Sequence, residues 1–175
     1  MAPRLHDLRL NARELLRQPG LQKTVALSIP ASELGVVDER ITGEIVVDLV
    51  ATSNIDGVVV EGTVVMPWRA PCRRCLAEVV GTAVIDVDEV YQDEITLDQR
   101  DGDDAFPIEG DQIDLVPAVR EAVLLELPDD ILCQDDCAGI CPVCGVDRNQ
   151  RSCDCDTTVR DDRWAALDGL TLDDD

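Results

Sequence analysis

Residues 58–91 read VVVEGTVVMPWRAPCRRCLAEVVGTAVIDVDEVY, and their reading decides the fold. Val58, Val60, Gly62, Val64, Met66 and Trp68 recur with period two, the spacing of an extended chain that turns one face to a core. The pattern breaks at Cys72-Arg73-Arg74-Cys75 and resumes from Leu76 to Tyr91. The second run pairs naturally back on the first, which gives a long antiparallel hairpin with a C-x-x-C at its tip. Two thiols separated by a two-residue turn can face one ion, so the tip is a candidate metal knuckle.

Working outward, Val25, Leu27 and Ile29 alternate with Thr24, Ala26 and Ser28, and Ile45, Val47, Leu49 and Ala51 form a second alternating run. The turn Asn54-Ile-Asp-Gly57 joins that run to Val58, so these strands are expected to be antiparallel and hairpin-connected. Before them, residues 5–20 alternate at Leu8 and Leu10, turn helical around Ala12 to Leu16, and stop at Pro19-Gly20. Were the whole stretch helical, Arg9, Arg13 and Arg17 would share a face that could contact phosphate. A solvated face beside Leu15 and Leu16 is the plainer reading. His6, the single histidine, receives no role.

Beyond the hairpin, Asp98 to Gln112 has the composition of an exposed loop, pinned back by Phe106, Pro107 and Ile108. Asp114 is expected to cap a helix from Leu115 to Leu127, with Pro117 tolerated in its first turn and Pro128 ending it. Val116, Val119, Val123 and Leu127 form its apolar stripe, which should cover one side of the sheet. The fold class expected is therefore α+β: a mainly antiparallel β-sheet or partly open barrel, one covering helix, and a cysteine-rich zinc-binding module. The expected division is a β-rich domain over 1–128, the zinc module over 129–159, and a short amphipathic turn with an acidic tail over 160–175. In the last part, Trp164 and Leu167 stand three residues apart.

Six of the eight cysteines fall between Cys133 and Cys155. Cys141-Pro-Val-Cys144-Gly145 is a second knuckle, with glycine where the chain must turn away through positive φ. Cys153 and Cys155, two residues apart, lie on one side of an extended chain and could complete the same tetrahedron. Cys72 and Cys75 with Cys133 and Cys137 would make another quartet, although the pairs could be exchanged between sites, and the chain could hold one zinc ion or two. Disulfides would need an oxidising compartment, and MAPRLHDLRLNAREL has neither an apolar signal core nor a cleavage site. Iron in a rubredoxin-like knuckle is the other metal to consider. A redox role for Cys72 and Cys75 lacks the thioredoxin-like βαβ surroundings.

The 175 residues suffice for one ordinary core, but with two Trp, one Tyr and one Phe it must be built from aliphatic side chains. Metal sites would help such a core hold its shape. No apolar run reaches the length of a membrane span, so a cytoplasmic protein is expected. The net charge of −22 is uneven: residues 1–82 hold 9 basic and 10 acidic side chains, residues 83–175 hold 6 and 27. The second half repels phosphate at long range and attracts basic surfaces.

In order and spacing, ARELLRQPG, CRRC, YQDE, IDLVPAVREAVLLELP, CAGICPVCG and DDRWAAL resemble the YceD family, the large ribosomal RNA subunit accumulation proteins. The resemblance implies a bacterial protein that supports accumulation of 23S ribosomal RNA, through its processing or its assembly. It supplies no catalytic residue. The expectation is thus a non-enzymatic ribosome-assembly factor that docks to precursor large-subunit rRNA, to a basic large-subunit ribosomal protein, or to both. Arg69, Arg73, Arg74, Arg148 and Arg151, close to the knuckles, are the candidate RNA contacts; the alternative is that they balance nearby carboxylates or thiolates. A holder for a basic ribosomal protein and an RNA-processing enzyme are the rival functions. The enzyme is disfavoured because four-thiolate zinc leaves no vacant position for water.

Overall fold

A computed structural model of the chain describes residues 5–93 and 105–157, together with Arg163. Its centre is an open sheet in the order β2-β3-β4-β5-β6, with β2 at Gln22–Pro30, β3 at Glu44–Ser53, β4 at Val58–Pro71, β5 at Glu78–Gln92 and β6 at Phe106–Pro107. The first four strands pair antiparallel, and only β6 runs parallel to its neighbour. The hairpin expected from residues 58–91 is present in full register, from Val58 opposite Tyr91 to Pro71 opposite Glu78. Of the two forms expected, the open sheet is the one adopted.

Alternation decides which face is buried. Ile45, Val47, Leu49, Ala51, Val58, Val60, Val64, Met66, Ile85 and Val87 all point into one core with Val25 and Ile29. The opposite face remains in solvent, as antiparallel sheets permit. Gly62 shows how tightly β3 and β4 approach: it holds φ at +149°, and a Cβ there would stand 2.2 Å from the carbonyl oxygen of Asp48. Only glycine fits that position.

A second, two-stranded ribbon closes the other side of the core. β1 at Arg9–Asn11 pairs antiparallel with β7 at Gln112–Asp114 and is followed by the short helix α1 at Ala12–Leu16. Leu8, Leu10, Ala12 and Leu15 are buried, as the alternation and the helical turn require. The expected arginine stripe does not form on one helix, because Arg9 lies in β1 and pairs with Asp114, while Arg13 on α1 pairs with Asp111.

Residues 105–112, expected as loop, instead contribute β6 and the start of β7. Period-two reasoning cannot see strands this short. The anticipated pinning does occur: Phe106 stacks on Tyr91 with ring centroids 5.3 Å apart, and Ile108 is buried. Residues 98–104 of the expected loop, and the amphipathic turn with Trp164 and Leu167, lie outside the described residues.

The covering helix, α2, runs Val116–Leu125, two residues shorter at its end than expected. A residue preceding proline is pushed out of the helical region, so Leu127 before Pro128 cannot extend it. The N-cap is Leu115 rather than the expected Asp114 and makes no side-chain cap; the Asp114 carboxylate, one residue earlier, accepts the Val116 N–H at 3.0 Å. Val119 and Val123 are buried on the core, with Val116 and Leu127 packed partly against it. The buried Tyr91 hydroxyl donates to the Asp114 carbonyl at 3.1 Å, which joins β5 to the ribbon just before the helix.

A candidate metal centre of two thiol quartets

The hairpin tip and the second knuckle are built alike. In the first, the Cys72 N–H donates to the Ala77 carbonyl at 2.8 Å and the Leu76 N–H to the Cys72 carbonyl at 2.9 Å. In the second, Cys141 N–H donates to Val146 and Gly145 N–H to Cys141, both at 2.8 Å. The residue after the second cysteine occupies the left-handed region in both, at φ 72° for Gly145 and φ 64° for Leu76. The role foreseen for Gly145 thus has a counterpart in Leu76, which its residue type did not announce.

From α2 the chain is led to the first knuckle by arginines. Arg40 donates to the Pro128 carbonyl at 3.0 Å and is held by Asp38, whose carboxylate the same guanidinium keeps below its usual range. Arg73 then donates its N–H to the Ile131 carbonyl at 2.9 Å and pairs through its side chain with Asp130. These contacts deliver Cys133 and Cys137 to the hairpin tip, 58 and 65 positions from Cys75 and Cys72 respectively.

All eight cysteines are free thiols, gathered as Cys72, Cys75, Cys133 and Cys137, and as Cys141, Cys144, Cys153 and Cys155. Within each quartet the sulfurs lie within 4.8 Å of one another. The Cys72 and Cys137 sulfurs are 3.8 Å apart, and those of Cys75 and Cys133 are 3.5 Å apart. Four thiolates about 2.3 Å from a central ion would stand roughly 3.8 Å from each other, so the donor set fits a tetrahedral ion. The first quartet is the more enclosed: Cys72, Cys75 and Cys137 are buried with Val79, Leu132 and Ile140 around them. In the second only Cys141 is buried, and Cys144 is exposed.

Each quartet contains one acidified thiol; against it, Cys75 and Cys133 resist ionisation in the first quartet and Cys155 in the second. Backbone N–H donation, chiefly from Cys75, lowers Cys72 to about 6, and the N–H groups of Cys144 and Val143 lower Cys141 to about 6. Cys133 is pushed up to about 12, first by its contact with Cys75, and Cys155 to about 12, first by its contact with Cys144. The cause is mutual: four thiolates cannot share so small a space unless a cation neutralises them.

The arginines are placed as follows. Arg69 pairs with Glu78 at 3.5 Å, Arg73 with Asp130, and Arg74 donates to the Cys137 carbonyl at 3.1 Å. Arg148 and Arg151 lie on either side of Asn149 in the second knuckle's loop, and among the described residues neither side chain makes an ion pair. Residues that the sequence reading passed over are Arg40, Leu76 and the side chain of Asn149. The Asp147-Arg-Asn149 sequence hinted at the last, since Asp and Asn cap their own turns.

An open sheet whose hairpin tip is gathered with a downstream knuckle around thiol quartets defines the class of protein. The model of the family described as large ribosomal RNA subunit accumulation protein YceD matches residues 60–171, which is more than half of the chain. The chain belongs to the YceD family. That match takes in the hairpin tip, α2 and both quartets. An uncharacterized protein of Mycobacterium tuberculosis is 39% identical over 101 residues, covering 57% of this chain and 49% of that protein. Bacillus subtilis YlbN is 36% identical over 106 residues, 60% of this chain and 61% of its own. An Arabidopsis thaliana protein named large ribosomal RNA subunit accumulation protein YCED homolog 1, chloroplastic, is 35% identical over 65 residues, 37% of this chain and 20% of its own. The chain spans about half the length of the first of these relatives. No solved structure matches. Among the described residues, no helix is long and apolar enough to cross a membrane.

Proposed function

We propose that the chain is a non-enzymatic, cytoplasmic ribosome-assembly factor that supports the accumulation or processing of 23S ribosomal RNA. Zinc in each thiol quartet would hold the hairpin tip and the second knuckle as one rigid docking surface. The observation that carries the reading is the family match, which spans the structural features described above. The chemistry of the quartets supports the metal: all four donors are soft thiolates, so a bound zinc would be closed and structural, with no position left for a reacting water. Deleting the gene should lower 23S relative to 16S ribosomal RNA and leave unprocessed large-subunit precursors. Normal levels of both would overturn the proposal. Incubation of the pure protein with precursor RNA and Mg2+ should leave the RNA intact, and specific cleavage would replace this reading with an enzyme.

Direct contact with precursor RNA would run through the arginines. Arg148 and Arg151 are the freest of the five, whereas Arg69 and Arg73 each have a carboxylate against them. Replacing Arg148 and Arg151 with Ala should weaken RNA binding and reduce its salt dependence. Unchanged affinity would remove them as contacts.

A second reading, a holder for a basic large-subunit ribosomal protein, is favoured by the solvent face of the sheet. There Glu61 stands directly opposite Asp88, and Asp48 and Asp86 flank Thr63 from either side. Like charges opposite each other on a sheet destabilise it, and a cationic partner would relieve them. Salt-sensitive co-purification of a basic ribosomal protein that survives nuclease would support this reading, and loss on nuclease treatment would refute it.

A further inference from the structure

Asn149 lies in the loop between Cys144 and Cys153, so both ends of its loop are thiols of the second quartet. Its side chain nevertheless serves the first. The Asn149 Nδ2 donates to the Cys137 sulfur at 3.3 Å and to the Asp147 carboxylate at 2.8 Å. Its Oδ1 accepts the Ala138 N–H at 2.8 Å. These partners fix which way the amide points. Turned over, it would set donor against donor at Ala138 and acceptor against acceptor at Asp147.

The contact belongs to a continuous structure. Asp147 holds the Asn149 N–H at 2.9 Å, the Arg148 N–H reaches the Gly139 carbonyl at 2.9 Å, and Ile140 forms an isolated β-bridge with Asp147. The segment 137–140 is itself tied to the hairpin tip through Ile140 N–H and the Arg74 carbonyl, 3.0 Å apart. A loop pinned at both ends by a filled quartet has little freedom left to lose when its amide meets the sulfur. An unpinned loop must be ordered at that moment. An N–H donor on a metal-bound thiolate stabilises its charge and fixes its orientation, and outer partners of metal ligands are commonly worth about 10- to 100-fold in metal affinity.

Resting on the metal reading above, we propose that Asn149 is a positioning residue for the Cys137 sulfur and couples the two quartets, so that filling the second raises the affinity of the first. Linkage makes the effect reciprocal. The test loads the full-length chain with cadmium alone, follows it by cadmium NMR, and measures affinity by competition with a chromophoric chelator. The unaltered chain should give two resonances. The pair Cys153→Ser and Cys155→Ser should keep only the first-quartet resonance, with affinity there reduced about tenfold. Asn149→Ala and Asn149→Asp should retain both ions, shift the first-quartet resonance and weaken that site by a similar factor. The aspartate keeps an acceptor for Ala138 but loses the donor to the sulfur and to Asp147, so its effect must agree with that of the uncharged Asn149→Ala. Adding Asn149→Ala to the serine pair should cost nothing more.

Two bound ions with first-quartet resonance and affinity unmoved by either Asn149 variant would overturn the coupling alone. Failure of the unaltered chain to take up cadmium would overturn the metal reading and the coupling with it.

Discussion

The guanidinium of Arg74, at the hairpin tip, donates to the carbonyl oxygen of Cys137 at 3.1 Å, across 63 positions of sequence. The Arg74 carbonyl accepts from Ile140, so the residue is engaged at both its main chain and its side chain. Its neighbour Arg73 pairs with Asp130 at the surface, with both side chains largely exposed. Arg74→Ala should therefore destabilise the metal-loaded chain by about 1–2 kcal/mol, a hydrogen bond from a charged group discounted for the exposure of Arg74. Arg73→Ala should stay within about 0.5 kcal/mol. Denaturant titration of the two variants checks the contrast, and equal losses would deny Arg74 its clamping role.

The matching knuckles make a second prediction. Leu76 is 63% exposed and holds φ at 64°, so its side chain gains little from burial while its backbone is strained. Leu76→Gly should relieve roughly 1–2 kcal/mol of that strain and lose part of it again to unfolded-chain entropy, leaving the melting temperature equal or slightly raised. Gly145→Val places a branched side chain in the same conformation and should lower it by several degrees. A lowered melting temperature for Leu76→Gly would show that its side chain matters more than its backbone.

Trp68 and Gly81 face each other across β4 and β5, and a Cβ on Gly81 would stand 2.4 Å from the Trp68 ring. The ring fills the space that the glycine leaves. Gly81→Val should expel it, cost about 1–3 kcal/mol as overpacking does, and shift tryptophan emission to longer wavelength. Unchanged emission and stability would mean that the sheet adapts around the added side chain.

The parts legible from sequence were those with a local signature. Period-two alternation located β2 to β5, a C-x-x-C marked each knuckle, and Asp114 with Pro117 and Pro128 framed α2. What escaped depends on contacts between distant residues. β6 and β7 are too short to carry a period, and form because Phe106 finds Tyr91 and Ile113 finds Leu10. Whether the sheet opens or closes is decided by which strands meet at its edges, which no single stretch encodes. The grouping of the thiols was one of several possibilities on spacing alone, and became definite only with Arg73 and Arg74 holding residues 131–140 against the hairpin tip. The spacing of Asp147 and Asn149 hints at a capped turn, but the bond from Asn149 to Cys137 joins two segments that only the folded chain brings together.

Protons and metal compete for the same sulfurs, which fixes the pH dependence. At pH 7.5 Cys72 and Cys141, each lowered to about 6, are already largely ionised, whereas Cys133 and Cys155, each pushed up to about 12, keep their protons. Zinc uptake at that pH should release fewer than four protons per ion. At pH 5, where Cys72 and Cys141 are protonated too, it should release more protons per ion, and affinity should climb with pH between the two. Calorimetric titration in two buffers of different ionisation enthalpy counts the protons directly, and equal counts at both pH values would refute the acidified thiols. The metal-free fold obeys the same signs. Lowered thiols contribute stability that is present above their unfolded value, about 8.5, and lost as pH falls through 6; raised thiols contribute stability that is present below 8.5 and lost as pH rises toward 12. Metal-free chain should accordingly be most stable near pH 8.5. Zinc, by holding all the sulfurs as thiolates, should make stability far less sensitive to pH over the range in which it stays bound.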